Sequence, residues 1–376
     1  MEPSKEMPRV AMLRHTLFAR SEVFIPDQAA KLASSVTLIA RDRIVNPRSD
    51  LAAISFADSL SLRTAYTLGF AAPLDRCLRS LSAQIVHAHF GVEGLYSFAS
   101  ARKLEAPHLT TLHGSDVSLT AKALIAARKP SLARYALGRE EFFSNPATTF
   151  VCVSRHVQQL AVDLGANPDR TVVIPTGVDT GSIVPRPAPD SPVLVHVARL
   201  IAVKGTATLL RAMAKVVAVV PDAHLRIVGE GPLHDDLVDL ADELGISQSV
   251  TFTGALPHVD VLAEITAAQV LVAPSETMPS GSREGLGQVA LEAGALGRPV
   301  VATDHGGLRE AVADGISGIL VAERNPMELA DALVNLLTDR QLRETLGRNA
   351  VDFVRENYDL VRGAAMLDSL YVALLA

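Results

Sequence analysis

The chain has 376 residues and no tryptophan, and aromatic residues make up only 4% of it. A surface that holds single-stranded nucleic acid stacks bases on aromatic rings, so no nucleic-acid partner is expected. Its two cysteines, Cys77 and Cys152, form neither a disulfide framework nor a zinc knuckle, and a reducing, cytoplasmic setting fits them. No run approaches the ~20 uncharged apolar residues of a membrane span. The polar start from Met1 to Arg9 has no apolar run behind it, so no signal peptide is expected. Several chemical signatures are also missing. There is no D-x-D, no H-E-x-x-H and no Cys/His pair at ligand spacing. There is no G-x-S-x-G elbow and no phosphate-binding Walker loop. No metal and no cofactor is expected.

What is present is a globular composition, 48% hydrophobic and 20% charged, long enough for two domains of ~100–200 residues. Charge is uneven. Residues 1–180 carry 20 Lys+Arg against 16 Asp+Glu, and the rest carry 15 against 25. This is either scatter or a first half that meets something anionic, such as a phosphorylated acceptor or a membrane surface.

Short apolar runs alternate with helical patterns, the mark of a parallel sheet covered on both faces. Ser35–Ala40, Gln84–Ala88, His108–Leu112, Thr149–Ser154 and Thr171–Pro175 read as strands. The stretch Pro185–Pro192 disfavours helix and central strand and reads as a linker. The alternation then restarts. Strands are expected at Val193–Val197, Ala223–Val228, Val250–Thr253, Val270–Ala273 and Pro299–Thr303, with helices over Thr206–Val219, Leu233–Leu244 and Gly287–Gly294. Two doubly wound α/β domains follow, at 1–180 and 190–357. Such sheets bind ligands at the carboxyl ends of their strands, and two facing sheets would bring those ends to one cleft.

Four segments carry candidate chemistry. In Arg283–Ala293, Gly285 and Gly287 flank Leu286 and open a helix whose unpaired N–H groups and dipole favour an anion. Glu284 stands before it. Glu292 lies eight residues on, about 12 Å away if the spacing is all helical. Gly285 to Ala290 also fits G-x-G-x-x-A with Asp304 beyond it, but a dinucleotide fingerprint needs the glycines directly after a strand, and a polar segment intervenes. Arg199 and Lys204 share one strand-to-helix loop and offer a guanidinium fork and a point charge for phosphate. Gly229, Glu230 and Gly231 form another such loop. His113, after a strand and beside a glycine, is placed to reach a cleft, while His87 and His89 fit a structural role as well. Singly, each segment also fits a plain turn.

In this order the segments resemble the retaining family 4 glycosyltransferases, of the two-Rossmann-domain GT-B architecture. The resemblance runs through His113-Gly-Ser-Asp116, Val153-Ser154, Val173–Asp179, Arg199–Gly205, Val228–Pro232, Phe252–Gly254, Glu284-x7-Glu292 and Gly297–Asp304. It implies transfer of a hexose-type sugar from a UDP or GDP sugar donor to a saccharide, lipid-linked or other hydroxyl acceptor. Glu284 would meet the donor sugar's hydroxyls, and the backbone of Gly285, Leu286 and Gly287 the sugar and phosphates. Glu292 would accept from the ribose. Arg199 and Lys204 would hold the diphosphate, and Gly229 and Glu230 would line the nucleotide. Gly254, Ala255 and Leu256 would face the base, and His113 the reacting centre. The segment from about Tyr358 to Ala376 would return to the first domain. Ser21-Glu22-Val-Phe-Ile25 resembles bacterial exopolysaccharide-type transferases. Ser21, Glu22, Asp116 and Ser154 are the acceptor-side candidates, and a peripheral contact with the inner membrane face has room in this reading. Two positions depart from the pattern. Phe18–Phe24 lacks the glycine-rich loop of many relatives, and Asp179 is followed by Thr-Gly-Ser rather than an aromatic residue two positions on. Two other readings remain, a GT-B epimerase or phosphorylase and a non-catalytic nucleotide-sugar binder.

Overall fold

The structure, a computed structural model, describes residues 7–19, 22–56 and 59–376. It forms two compact units, Met1–Thr176 with Leu360–Ala376, and Gly177–Asp359. The first holds seven strands: β1 (Arg9–Leu17), β2 (Ser35–Ile44), β3 (Ala52–Ser55), β4 (Ile85–His89), β5 (His108–Leu112), β6 (Thr148–Cys152) and β7 (Thr171–Val173). All pair in parallel, in the order β3-β2-β1-β4-β5-β6-β7. The second holds β8 (Val193–Val197), β9 (His224–Val228), β10 (Val250–Gly254), β11 (Val270–Ala273), β12 (Val300–Thr303) and β13 (Gly318–Val321). These are also parallel, in the order β10-β9-β8-β11-β12-β13. Both are doubly wound Rossmann-like sheets. The order reverses between β1 and β4 and between β8 and β11, and there the following loops diverge to opposite faces and leave a crevice at the strand ends.

β4, β5 and β6 are buried at every residue, as strands covered on both faces must be. In the second unit, Leu209, Leu210, Met213 and Val216 of the helix Thr206–Val219 pack with Leu329, Leu333 and Leu336 of Pro326–Thr338 over the sheet. Three strands lacked a sequence signal. β1 loses its apolar run at Arg14, His15 and Thr16, yet it is central to its sheet, because ion pairs satisfy the buried Arg14. β3 and β13 are four-residue strands at sheet edges, too short for a periodic pattern.

The Pro-rich stretch has no helix or strand but is tied to the second unit. The buried Arg298 donates to the carbonyls of Arg186 (2.6 Å) and Pro187 (3.3 Å), and Gln269 to those of Pro189 (2.9 Å) and Asp190 (3.0 Å). The last helix, Leu360–Leu375, docks on the first unit. There Asp368 accepts from the N–H groups of Ala33 (2.7 Å) and Ser34 (3.1 Å). Among the described residues, no helix is long and apolar enough to cross a membrane.

Candidate active site

In the second unit, four loops meet at the carboxyl ends of β8, β9, β11 and β12. Close backbone packing dictates their glycines. Gly205 has φ +66°, and a Cβ there would lie 1.8 Å from the Pro274 carbonyl oxygen. Gly229, at φ +139°, would place one 1.9 Å from the Ala198 oxygen. The Leu200 N–H donates to the Glu230 carbonyl (2.9 Å), and the Gly229 N–H to that of Gly254 (2.9 Å). The loops after β8, β9 and β10 are therefore zipped together before any ligand arrives.

Lys204 and Glu284 meet across the point where the strand order reverses. The Lys204 ammonium donates to Glu284 Oε2 at 2.5 Å, and the side chains are 24% and 18% exposed. Burial acts to raise the Glu284 carboxyl. The charge and hydrogen bond of Lys204, with His305 and Ser275, outweigh it and hold the group below the ordinary glutamate value. Glu284 is thus an anion at neutral pH and acts only as a hydrogen-bond acceptor. Lys204 retains two further N–H donors. Arg199 is exposed, with no ion pair to a described residue.

The loop bearing Glu284 is held from behind. The Glu284 N–H donates to His305 Nε2 (3.0 Å), so that nitrogen carries no proton, and Nδ1–H donates to Glu323 Oε1 (2.9 Å). Glu323 also accepts from the N–H of Thr277 (2.6 Å). A Cβ on Gly306 would come within 2.5 Å of the Glu284 oxygen, and one on Gly307 within 2.0 Å of the Gly285 oxygen. This backing, His305-Gly-Gly307 with Thr277 and Glu323, went unseen in the sequence. Its glycine-bearing strand-to-helix loop was the same kind of signal that singled out Gly229 and Gly231.

The helix after Glu284 begins only at Gln288, with Gly287 left-handed at φ +86° in front of it. The Glu284-to-Glu292 spacing is therefore not all helical, and the 12 Å figure does not apply. β11 ends at Ala273, so the loop Pro274–Gly287 rules out the dinucleotide fingerprint. Glu292 is buried on that helix and lies 3.1 Å from His258 Nε2. Gly254, Ala255 and Leu256 are half-buried at the end of β10, and Leu286 is buried.

In the first unit, His113 stands just beyond β5. Its main-chain N–H and that of Gly114 donate to Asp116 (3.1 and 2.8 Å), as does that of Gly91 (3.1 Å). Asp116 thus ties together the loops after β4 and β5. Burial raises its carboxyl, against the backbone donors. The imidazoles of His87, His89 and His113 stack with centroids 4.8 and 5.3 Å apart. Phe90 lies 4.3 Å from His113, in a conformation (φ +72°) unusual for a residue other than glycine, with the Arg14 guanidinium 3.8 Å over its ring. Such strain costs roughly 1–3 kcal/mol and persists where the surroundings over-determine it. Glu22 is held bidentately by Arg14 (2.6 and 2.8 Å). Arg14 also donates to the buried Glu93 (3.1 Å). Ser154 caps the helix Arg155–Asp163 by accepting from the Val157 N–H (3.1 Å). Ser21 lies outside the described residues. Arg14, Phe90 and Glu93 carried no local sequence signal.

Residues 22–182 match the model of Glycosyltransferase Family 4, and residues 183–353 that of glycosyl transferases group 1. A D-inositol 3-phosphate glycosyltransferase of Frankia alni is 34% identical over 287 residues, 71% of this chain and 69% of that protein. A GDP-mannose-dependent alpha-(1-6)-phosphatidylinositol monomannoside mannosyltransferase of Mycolicibacterium smegmatis is 33% identical over 252 residues, 64% of this chain and 65% of that one. The crystal structure of Anabaena Alr3699/HepE in complex with UDP and glucose superposes with a TM-score of 0.81 at 19% identity, covering 98% of this chain and 100% of that chain. At that identity the likeness speaks for the fold. With two Rossmann-like sheets, adjoining family matches along nearly the whole chain and the Lys204–Glu284 pair at a strand-order reversal, the chain belongs to the family 4 glycosyltransferases, of GT-B fold.

Proposed function

We propose that this glycosyltransferase moves a hexose-type sugar from a UDP- or GDP-linked donor to a hydroxyl of a saccharide or lipid-linked acceptor, with retention of anomeric configuration. The Lys204–Glu284 pair carries this reading, because it sets a cation with two spare donors beside an obligate acceptor at the strand ends. The donor diphosphate takes the spare N–H groups of Lys204 and the fork of Arg199. The sugar hydroxyls donate to Glu284, and the backbone of Gly285 to Gly287 lies along them. Glu292 accepts from the ribose, and Gly229, Glu230 and the segment Gly254–Leu256 line the nucleoside. The second unit is then the donor domain and the first, with its C-terminal helix, the acceptor domain.

The bond from the anomeric carbon to the diphosphate oxygen breaks on the face at which the acceptor oxygen attacks. The departing diphosphate takes the hydroxyl proton, so no strong protein base is required. Positioning and fixed cations supply most of the rate. His113 lies at the reacting centre, and Glu22, Asp116 and Ser154 shape the acceptor side through the backbone they hold.

A lipid-linked acceptor at the inner membrane face is favoured by the surface of the first unit. Leu68, Phe70 and Leu137 are exposed there, beside Arg134, whose guanidinium lies 5.0 Å over the Tyr96 ring. The lipid in the name of the Mycolicibacterium smegmatis relative, phosphatidylinositol monomannoside, points the same way. The test is a thermal-shift screen of UDP, GDP and their sugars, followed by product analysis. A donor at 100 times its Kd stabilises by about 2.7 kcal/mol. Consumption that requires an acceptor, with the product anomer matching the donor, supports the proposal. Epimerised donor, phosphorolysis, or binding without turnover overturns it.

A further inference from the structure

The imidazole stack in the first unit contains one unexplained group. His89, at the end of β4, is wholly buried, and its Nδ1 lies 3.0 Å from His113 Nε2. Its own Nε2 is buried with no hydrogen-bond partner among the described residues. The next ring in the stack, His87, is fully engaged, with Tyr371 Oη at 2.6 Å on Nδ1 and Thr111 Oγ1 at 2.7 Å on Nε2. It packs on His89 at 4.8 Å and fixes the plane of that ring. Phe24 (5.1 Å) and Phe90 (4.3 Å) fix the His113 ring, and Asp116 fixes its main chain.

Burial is the main cause, with Arg14 and neighbouring imidazoles, that holds both His89 and His113 well below the ordinary histidine range. Both rings are therefore neutral at pH 7, and one proton lies in the contact between them. If His113 donated it from Nε2, the proton of His89 would sit on its Nε2, a buried N–H with no acceptor. If His89 donates from Nδ1, only a lone pair is left over. Buried N–H groups without partners are the rarer and costlier defect. The hydrogen bond made by one ring nitrogen also sets the protonation of the other.

We propose that His89 is a positioning residue for the transfer reaction: by donating from Nδ1 it holds His113 in the Nδ1–H tautomer, so that His113 offers an N–H donor to an oxygen of the reacting sugar. This rests on the placement of His113 at the reacting centre. Nδ1 of His113 makes no hydrogen bond to a described residue, so its donor is unspent. Without His89 the ring would revert to Nε2–H, the form free histidine favours in water, and would present a bare acceptor where a donor is needed.

The decisive measurement is long-range 1H–15N correlation of the full chain labelled at histidine, with His113 assigned by its loss in H113A. The native protein and H89N, whose amide keeps a donor near the Nδ1 position, are expected to show His113 protonated on Nδ1. H89A removes the donor and leaves room for water beside His113 Nε2, so His113 should switch to Nε2–H. The kcat of H89A should fall on the order of ten- to a hundredfold, the range for removed supporting partners, with donor KM held within about twofold. H89N should retain most of the native rate. A native spectrum with His113 protonated on Nε2 overturns the proposal, and it does so even if H89A does not fold. An unchanged tautomer and rate in H89A also overturn it. Full activity in H113A would instead overturn the placement of His113 at the reacting centre, leaving the tautomer as it is.

Discussion

Lys204→Ala removes the ammonium that faces both Glu284 and, in the proposed complex, the departing diphosphate. The two side chains are 24% and 18% exposed, so the pair lies mostly out of water, where a fixed cation responds to developing charge without reorganising. A preorganised partner of this kind is worth about 2.7–4 kcal/mol, or on the order of 10²–10³ in turnover. The kcat of K204A should fall by about that factor, with a smaller change in donor affinity. A second effect follows from the carboxylate left behind. Lys204 is the main influence lowering Glu284, and burial opposes it. Without Lys204, burial dominates and the carboxyl rises. The acid limb of the pH–rate profile, set by ionisation of Glu284, should then move to higher pH in K204A. Leaving the carboxylate half-paired should also cost about 1–3 kcal/mol of stability, read from urea unfolding. Arg199→Lys should lose activity too, because an ammonium cannot make the planar two-point contact. Steady-state and single-turnover kinetics decide the matter. A raised KM with unchanged kcat would mean equal binding of ground and transition states, and the leaving-group role would be refuted.

His113→Ala should lower turnover far more than donor affinity, measured as the split between kcat and KM. Glu292→Ala should weaken nucleotide binding by about 1.5–3 kcal/mol, the range for a hydrogen bond to a charged group, and equal affinity by calorimetry would remove Glu292 from the ribose site. Activity should persist in excess chelator, since Lys204 and Arg199 supply fixed cations and the chain has no D-x-D motif; loss restored by magnesium or manganese would refute the assignment. Buried His87, His108 and His196 lie at about 3, 3 and 4, chiefly from burial. Their folded values are depressed, so the unfolded chain binds more protons below pH 6.5, and stability is full above that value and falls as the pH drops. Each should cost about 2 kcal/mol between pH 6.5 and pH 5, and a Tm that stays flat from pH 7 to pH 5 would contradict it.

The local alternation of the chain was legible because both sheets are parallel and covered on two faces. Val270–Ala273 reads as a continuous apolar run for that reason, and Val193–Val197 as one broken only by His196. Glu284, Lys204 and His113 were singled out because each sits in a glycine-bearing loop after an expected strand. β1 was missed because Arg14 interrupts it, and the partners that make a buried guanidinium tolerable, Glu22 and Glu93, lie in other loops. The Pro-rich stretch could be excluded from helix and strand by composition, but only Arg298 and Gln269 show that it is held in place.

The sequence by itself determined the two runs of βαβ units, because hydrophobic period and glycine punctuation act within ten or twenty residues. Tertiary structure alone decided the strand order, and the strand order chose the partners. Lys204 meets Glu284 because β8 pairs with β11, and His113 meets His89 because β4 pairs with β5. Glu284 depends on His305 and Glu323 through the neighbouring strands β12 and β13. No local pattern encodes those meetings, since they arise from main-chain ladders that align residues tens of positions apart.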